Sequence, residues 1–322
     1  MRVLVTGGAG YVGSVTAQLL LSRGHQVRAL DSLLHGGNGL LSLYSHDCFE
    51  FIRGDIRSEA VLREALNGVD AVVHLAAIVG DPACSRQPDL AREVNLEASL
   101  RFFESCRRQG VNRFLFASTC SNYGKMSDPS QCVTETSELK PVSLYAETKV
   151  AVEKALLSAQ VEKPAVTLLR FATVFGVSPR MRFDLTVNEF TIELVTKRKI
   201  VVYGEQFWRP YIHVRDDARA VVLALESPLE KVTGQVFNVG DTGQNYQKGR
   251  LVELICEQVG GHLAVEHVHR EEDPRDYRVS FEKIRQELGF KITRTVEDGI
   301  REVIGAVRQG VITDFANPIY KN

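Results

Sequence analysis

Short apolar runs alternate with longer amphipathic stretches through the first half of the chain. Residues 3–6, 26–30, 71–75, 113–117 and 166–170 read as buried strands, and another short strand ends at Gly54. Residues 15–22, 58–66, 90–108 and 143–158 carry helical spacing between them. Repeated β-α units require a parallel sheet, because each crossover helix returns the chain to the same sheet edge. The predicted fold class is therefore α/β, a Rossmann-type doubly wound parallel sheet with right-handed crossovers. After about Phe175 the regularity changes: 176–182 reads as a loop, 188–196 as a helix and 207–215 as an aromatic and basic turn. A strand at 235–240 returns the chain to the first sheet. The expected organisation is a first domain over 1–175, rejoined by about 211–240, with a smaller, interleaved C-terminal lobe over most of 176–322. Residues 317–322 read as a tail.

Composition narrows the partners. Of 322 residues, 44% are hydrophobic, enough for a substantial core. The 39 basic and 40 acidic residues give a net charge of -1, so no general attraction to nucleic acid or anionic membrane is expected, and any anion must be held locally. No apolar run is long enough to span a bilayer, and Met1-Arg2-Val3-Leu4-Val5 leads into glycines without a secretory core, which points to the cytoplasm. The six cysteines form no C-x-x-C pair and no zinc-like spacing with histidine. Reduced thiols and no metal are expected.

The first strand runs into Thr6-Gly7-Gly8-Ala9-Gly10-Tyr11-Val12-Gly13 and then a helix. Glycines at 7, 10 and 13 allow a tight turn, close backbone approach to a diphosphate and close helix–sheet packing, with the phosphates at the positive helix end. The second strand ends in Asp31, where a carboxylate accepts from a ribose diol and repels a 2′-phosphate. The cofactor expected is NAD rather than NADP. Asp55 and Ile56 are placed at its adenine edge, and Leu75, Ala76 and Ala77 along its backbone.

Tyr145 and Lys149 stand four residues apart in a predicted helix and so share a face. Such pairs also arise on ordinary amphipathic helices. Beside a cation, however, a phenol loses its proton more readily and becomes a usable general acid/base.

Taken in order, the three glycines, Asp31, His74-Leu75-Ala76-Ala77, Asn95, Ser118-Thr119 and Tyr145-x-x-x-Lys149 resemble the extended short-chain dehydrogenase/reductases. The resemblance covers essentially the whole chain and is strongest to the NAD-dependent epimerases and dehydratases of nucleotide sugars, whose familiar member is UDP-galactose 4-epimerase. It implies Tyr145 as acid/base, Lys149 as the group that lowers its pKa and holds the nicotinamide ribose, and Thr119 as the hydroxyl that bonds the reacting sugar. Asn95 is grouped by resemblance with the cofactor residues as a support. On the substrate side the resemblance places Thr173, Asn188 as a diphosphate contact and Arg209 as a diphosphate clamp; Cys84, Cys120 and Asn122 are grouped with them. His213 reads as structural.

Departures from the family pattern narrow the reaction. Dehydratases carry Thr-Asp-Glu where this chain reads Thr119-Cys120-Ser121, and a decarboxylase would show Glu at 121. The family's Arg-Pro-Gly-Asp appears as Asp273-Pro274-Arg275-Asp276, which leaves the diphosphate role open between Arg275 and Arg278. Cys120 lies one residue out of register for the thiol some epimerases use. The leading expectation is an NAD-dependent nucleotide-sugar epimerase working through a transient keto-sugar. The alternatives are a 4-ketoreductase or dehydrogenase with the same triad, and a non-catalytic NAD sensor. A nucleotide-diphosphate sugar is the expected partner, and the resemblance implies a homodimer through 90–108 and 143–158.

Overall fold

The computed structural model describes residues 1–126, 128, 131–159, 162–273 and 275–322. Its strands are β1 (Arg2–Thr6), β2 (Gln26–Asp31), β3 (Phe49–Arg53), β4 (Ala71–His74), β5 (Arg113–Thr119), β6 (Ala165–Phe171), β7 (Thr173–Phe175), β8 (Lys199–Tyr203), β9 (Trp208–His213), β10 (Gln235–Val239), β11 (Asn245–Gln247) and β12 (Ala264–Val268). The helices are α1 (Tyr11–Ser22), α2 (Glu59–Leu66), α3 (Asp81–Arg86), α4 (Pro88–Arg92), α5 (Ser99–Arg108), α6 (Leu144–Ser158), α7 (Thr186–Lys197), α8 (Val214–Glu226), α9 (Leu229–Val232), α10 (Lys248–Val259), α11 (Glu282–Leu288) and α12 (Val296–Arg308).

A seven-stranded sheet in the order β10-β6-β5-β4-β1-β2-β3 forms the centre, every neighbouring pair parallel. The period-2 alternation of a strand explains how it is buried on both faces. Val3 and Val5 of β1 join the cluster under α1 and α8, with Leu20 and Val221, while Leu4 between them joins the opposite cluster under α2, α5 and α6, with Leu62, Phe102 and Val152. The predicted doubly wound sheet is thus present, and 235–240 supplies its edge strand beside β6.

Outside this sheet, β11-β9-β7 and β12-β8 form two small sheets. With α7, α10 and α12 they enclose a separate core around Leu194, Tyr211, Leu251, Ile255 and Ile300. Three expectations change here. Residues 207–215 are not a turn: β9 and the first residues of α8 occupy them, hidden from pattern reading because Arg209 and His213 are buried polar residues within a strand. The helix expected over 90–108 is α4 and α5 joined by a π-helical segment, Glu93–Ala98. The expected tail packs down: Pro318–Tyr320 forms a 3-10 turn, and Tyr320 meets Phe183 edge-on, their ring centroids 5.4 Å apart. Among the described residues no helix is long and apolar enough to cross a membrane.

Candidate active site

A cavity of about 850 Å³ opens at the C-terminal ends of β1, β2, β4, β5 and β6, where the strand order reverses. Its floor is the glycine turn. Gly7 has φ +71, a conformation other residues rarely adopt, and a Cβ there would lie 2.9 Å from the Ala76 nitrogen. A Cβ on Gly13 would lie 2.0 Å from the Gly7 oxygen, so the turn and the start of α1 can meet only without side chains. Gly7, Gly10, Tyr11, Val12 and Gly13 all line the cavity, as do Asp31, Asp55, Ile56, Leu75, Ala76 and Ala77. Asp31 accepts from the Ala9 and Leu33 N–H groups at 3.0 and 2.8 Å, which aims it inward from the end of β2. Burial raises its pKa, opposed by those two bonds and by the nearby Arg180. Behind the β4 loop, His74 bonds Thr6 Oγ1 at 2.7 Å and Ser99 Oγ at 3.0 Å, and Thr6 Oγ1 in turn accepts the Ala76 N–H. Burial pushes His74 down to about 3, so this support is neutral.

The middle of the cavity carries Thr119, Tyr145 and Lys149. Ser143 caps α6 by accepting the Ala146 N–H, which fixes Tyr145 in the first turn and Lys149 one turn on. Lys149 Nζ donates to the Ala117 carbonyl at 2.8 Å, 4.6 Å from the Phe116 ring centroid and 5.9 Å from that of Tyr145. Thr119 Oγ1 accepts the Ser121 N–H, leaving its own proton to donate. The electrostatics depart from expectation. Burial raises the Tyr145 phenol well above its usual value, with Cys84 and Asp81 adding to the rise and Arg182 opposing it. Lys149 is itself lowered by burial to about 8. The chain's own charges therefore do not give Tyr145 the low pKa expected of the pair, because both groups lose water together.

Arg209, Lys248 and Arg275 also reach the cavity wall, as does Thr173. Arg209 Nη2 and Lys248 Nζ both meet Asp273 Oδ2, at 2.8 and 3.2 Å. Burial favours protonation of Asp273, but Arg209, the Arg275 N–H and Lys248 outweigh it and hold the carboxyl at about 2. Arg275 Nη1 pairs with Asp81 at 2.6 Å, and Asp81 also accepts from Ser143 at the cap of α6. Of the departed family motif, Arg275 thus faces the cavity, whereas Arg278 stacks on Trp208; Pro274 lies outside the described residues. Asp276 anchors the segment through the Trp208 N–H, and His213 is structural, caught between Glu302 and the Arg215 N–H.

Five expected site residues are absent from the cavity lining, each for a visible reason. Asn95 exchanges two hydrogen bonds with the Ile78 backbone, so it braces the β4 loop rather than lining the cofactor groove. Cys84 is fully buried behind that loop, its thiol donating to the Ile78 carbonyl and raised by burial to about 11. Cys120 points away to the Arg170 carbonyl, 1% exposed and raised far above a reactive thiol's range. Asn122 donates to Ser118 and Glu153 in the interior. Asn188 fastens the 176–182 segment, accepting the Gly176 N–H and donating to the Arg182 carbonyl. Sequence reading missed Asp81, Arg180, Arg182, Lys248 and Asn322, all on the cavity wall. Arg180-Met181-Arg182, two cations in a segment read as plain loop, was the available signal.

The glycine turn, the inward Asp31 and the groove between them fit NAD. Residues 3–240 match the family described as NAD dependent epimerase/dehydratase family. The chain is 34% identical to a UDP-glucose 4-epimerase of Corynebacterium glutamicum over 310 residues, 90% of each chain. It is 31% identical to a dTDP-glucose 4,6-dehydratase of Streptomyces niveus, covering 94% of this chain and 92% of that one. The solved UDP-glucose 4-epimerase of Thermus thermophilus in complex with NAD superimposes with a TM-score of 0.83 at 29% identity, over 96% of this chain and 99% of that one. This chain is therefore an enzyme with NAD as cofactor and belongs to the NAD dependent epimerase/dehydratase family, within the extended short-chain dehydrogenase/reductases that act on nucleotide sugars.

Proposed function

We propose that the chain is a nucleotide-sugar epimerase that works through a transient keto-sugar, with Tyr145 as acid/base. The observation that carries this reading is the content of one wall: Thr119, Ser121, Tyr145 and Lys149 line the cavity, while residues 120 and 121 bring no carboxylate to it. A dehydratase needs an acid and a base there to eliminate water, and Cys120 and Ser121 supply neither. The likeness to both epimerases and dehydratases makes this difference the useful one.

Bound NAD would supply a reversible hydride acceptor and, when oxidised, a positive charge. Tyr145 takes the proton of a sugar hydroxyl as that carbon's hydrogen leaves as hydride, and it later returns the proton to the same oxygen. Thr119 donates to that oxygen and keeps it in place. Lys149, cationic below about pH 8, would hold the nicotinamide ribose and favour the phenolate. Between the two steps the keto-sugar turns over in the cavity and receives hydride on its other face. Arg209, Lys248 and Arg275 bind the substrate's diphosphate, which anchors the nucleotide while the sugar rotates. In this reading the seven-stranded sheet is the NAD lobe and the two small sheets belong to the substrate lobe.

A nucleotide sugar carrying deuterium on the inverted carbon tests the scheme. The epimer product should keep that deuterium on the same carbon, because hydride leaves and returns without meeting water; loss of the label to solvent would rule out internal hydride transfer.

A further inference from the structure

We propose that Arg180 is a second cationic wall for the diphosphate of NAD, reaching it from the side opposite the glycine turn. Arg180 lies on the segment between β7 and α7, outside the seven-stranded sheet. That segment is fastened to the first turn of α1: Ser178 Oγ donates to the Tyr11 carbonyl at 2.7 Å, and the Tyr11 hydroxyl donates to the Gly176 carbonyl at 2.6 Å. Two residues beyond Ser178, Arg180 is 5% exposed and lines the cavity along with Gly10, Val12 and Asp31.

The side chain is held but incompletely satisfied. Nη2 donates to Asn322 Oδ1 at 2.8 Å and to the Lys321 carbonyl at 3.3 Å, whereas Nε is buried with no hydrogen-bond partner among the described residues. A buried guanidinium N–H without an acceptor is costly, and an anionic oxygen is the group that satisfies it best. Its neighbour Arg182 is differently placed, with Nε and Nη2 both bonded to Asp184. Two arginines so close also lower one another's affinity for a proton, and burial with Arg182 brings Arg180 down to about 10, still a cation at neutral pH.

Position decides which anion this is. In the reading proposed above, the substrate's diphosphate has its own cations in Arg209, Lys248 and Arg275, which are grouped around Asp273 and Asp81 rather than Asp31. Arg180 is close enough to Asp31 for each to act on the other's charge, and Ser178 ties its segment to the first turn of α1, so it belongs to the stretch that runs from the adenosine ribose at Asp31 past the glycine turn. The anion there is the dinucleotide's diphosphate, with N–H groups at the start of α1 on one side and Arg180 on the other. Clamped on two sides, the cofactor is retained between turnovers.

The inference rests on NAD as cofactor and not on the reaction, so its test reads binding alone. Full-length protein freed of nucleotide is titrated calorimetrically with NAD, ADP-ribose and adenosine, as wild type, Arg180→Gln and Arg180→Lys. Arg180→Gln should weaken NAD and ADP-ribose roughly 10- to 100-fold and leave adenosine within about twofold, with Arg180→Lys in between. Equal losses for adenosine and ADP-ribose in both variants would make Arg180 a structural residue, and unchanged NAD affinity would remove the clamp. Either result overturns the proposal. Failure of the epimerase reading would show instead as a lack of epimerisation by the wild-type chain.

Discussion

Lys149 is 3% exposed and makes its hydrogen bond to a backbone carbonyl rather than to a carboxylate, so its charge is carried at a cost in hydration. Its pKa of about 8 lies below the ordinary 10.5, which means the unfolded chain binds more protons between those values. Its burial therefore opposes folding most below pH 8, and the penalty fades as pH rises toward 10.5. For catalysis the sense is reversed, since the useful cation is lost above pH 8. Side-chain NMR of the NAD-free protein should show one lysine titrating near pH 8, absent from Lys149→Met; a Lys149 titrating at its ordinary value would contradict this. Tyr145→Phe should cut turnover about 10²- to 10⁴-fold while the protein still retains NAD. Loss of NAD along with activity would make the tyrosine a cofactor anchor instead. Tyr145, Lys149 and the glycine turn were legible as residues of one cavity because spacing and backbone freedom leave a trace in sequence. Cys84 and Asn188 were not, because whether a polar side chain faces a cavity or a backbone carbonyl behind it is settled by packing.

At the level of elements, Thr119 at the end of β5 and Tyr145 at the start of α6 line one cavity, and a buried ion pair fastens β6 to α6 beside them. Arg170 of β6 bonds Glu153 of α6 with both side chains at 4% exposure or less, and Glu153 also accepts from Ser118 and Asn122. Removing one partner, as in Glu153→Ala, should cost about 3–5 kcal/mol in denaturant unfolding, because it strands a buried guanidinium. Arg170→Met together with Glu153→Leu should recover much of that loss. A cost under 1 kcal/mol for the single change would show the pair to be dispensable. The parallel sheet was readable because short apolar runs such as 3–5 and 71–73 recur between helical stretches, even where a strand carries a polar residue such as Arg28 or Arg170. By contrast, β9 escaped notice: Arg209 and His213 put charge and polarity at buried positions, reversing the usual rule where the strand meets the cavity and where it is fastened to Glu302 of α12.

On the scale of the whole molecule, the cavity is assembled from parts far apart in the chain. Asp81 meets Arg275, and Asn322 bonds Asp184 and Arg180, so the last residues help to close a groove whose floor is laid by the first thirteen. No local pattern could announce these contacts, which is why 317–322 read as a tail. We propose that two copies pair through residues 90–108 and 143–158, and sedimentation equilibrium should then give twice the chain mass; a single-chain mass at micromolar concentration would refute the dimer. In the proposed reaction, oxidation and reduction both happen inside one protein that keeps its cofactor. The direct measurement is to incubate the protein as purified, with no added cofactor, with a panel of nucleotide-diphosphate sugars and to resolve the epimers by chromatography. One pair should interconvert to the same equilibrium ratio from either side, with bound NAD found by mass. A requirement for stoichiometric NADH, consumed mole for mole with a keto-sugar, would contradict it.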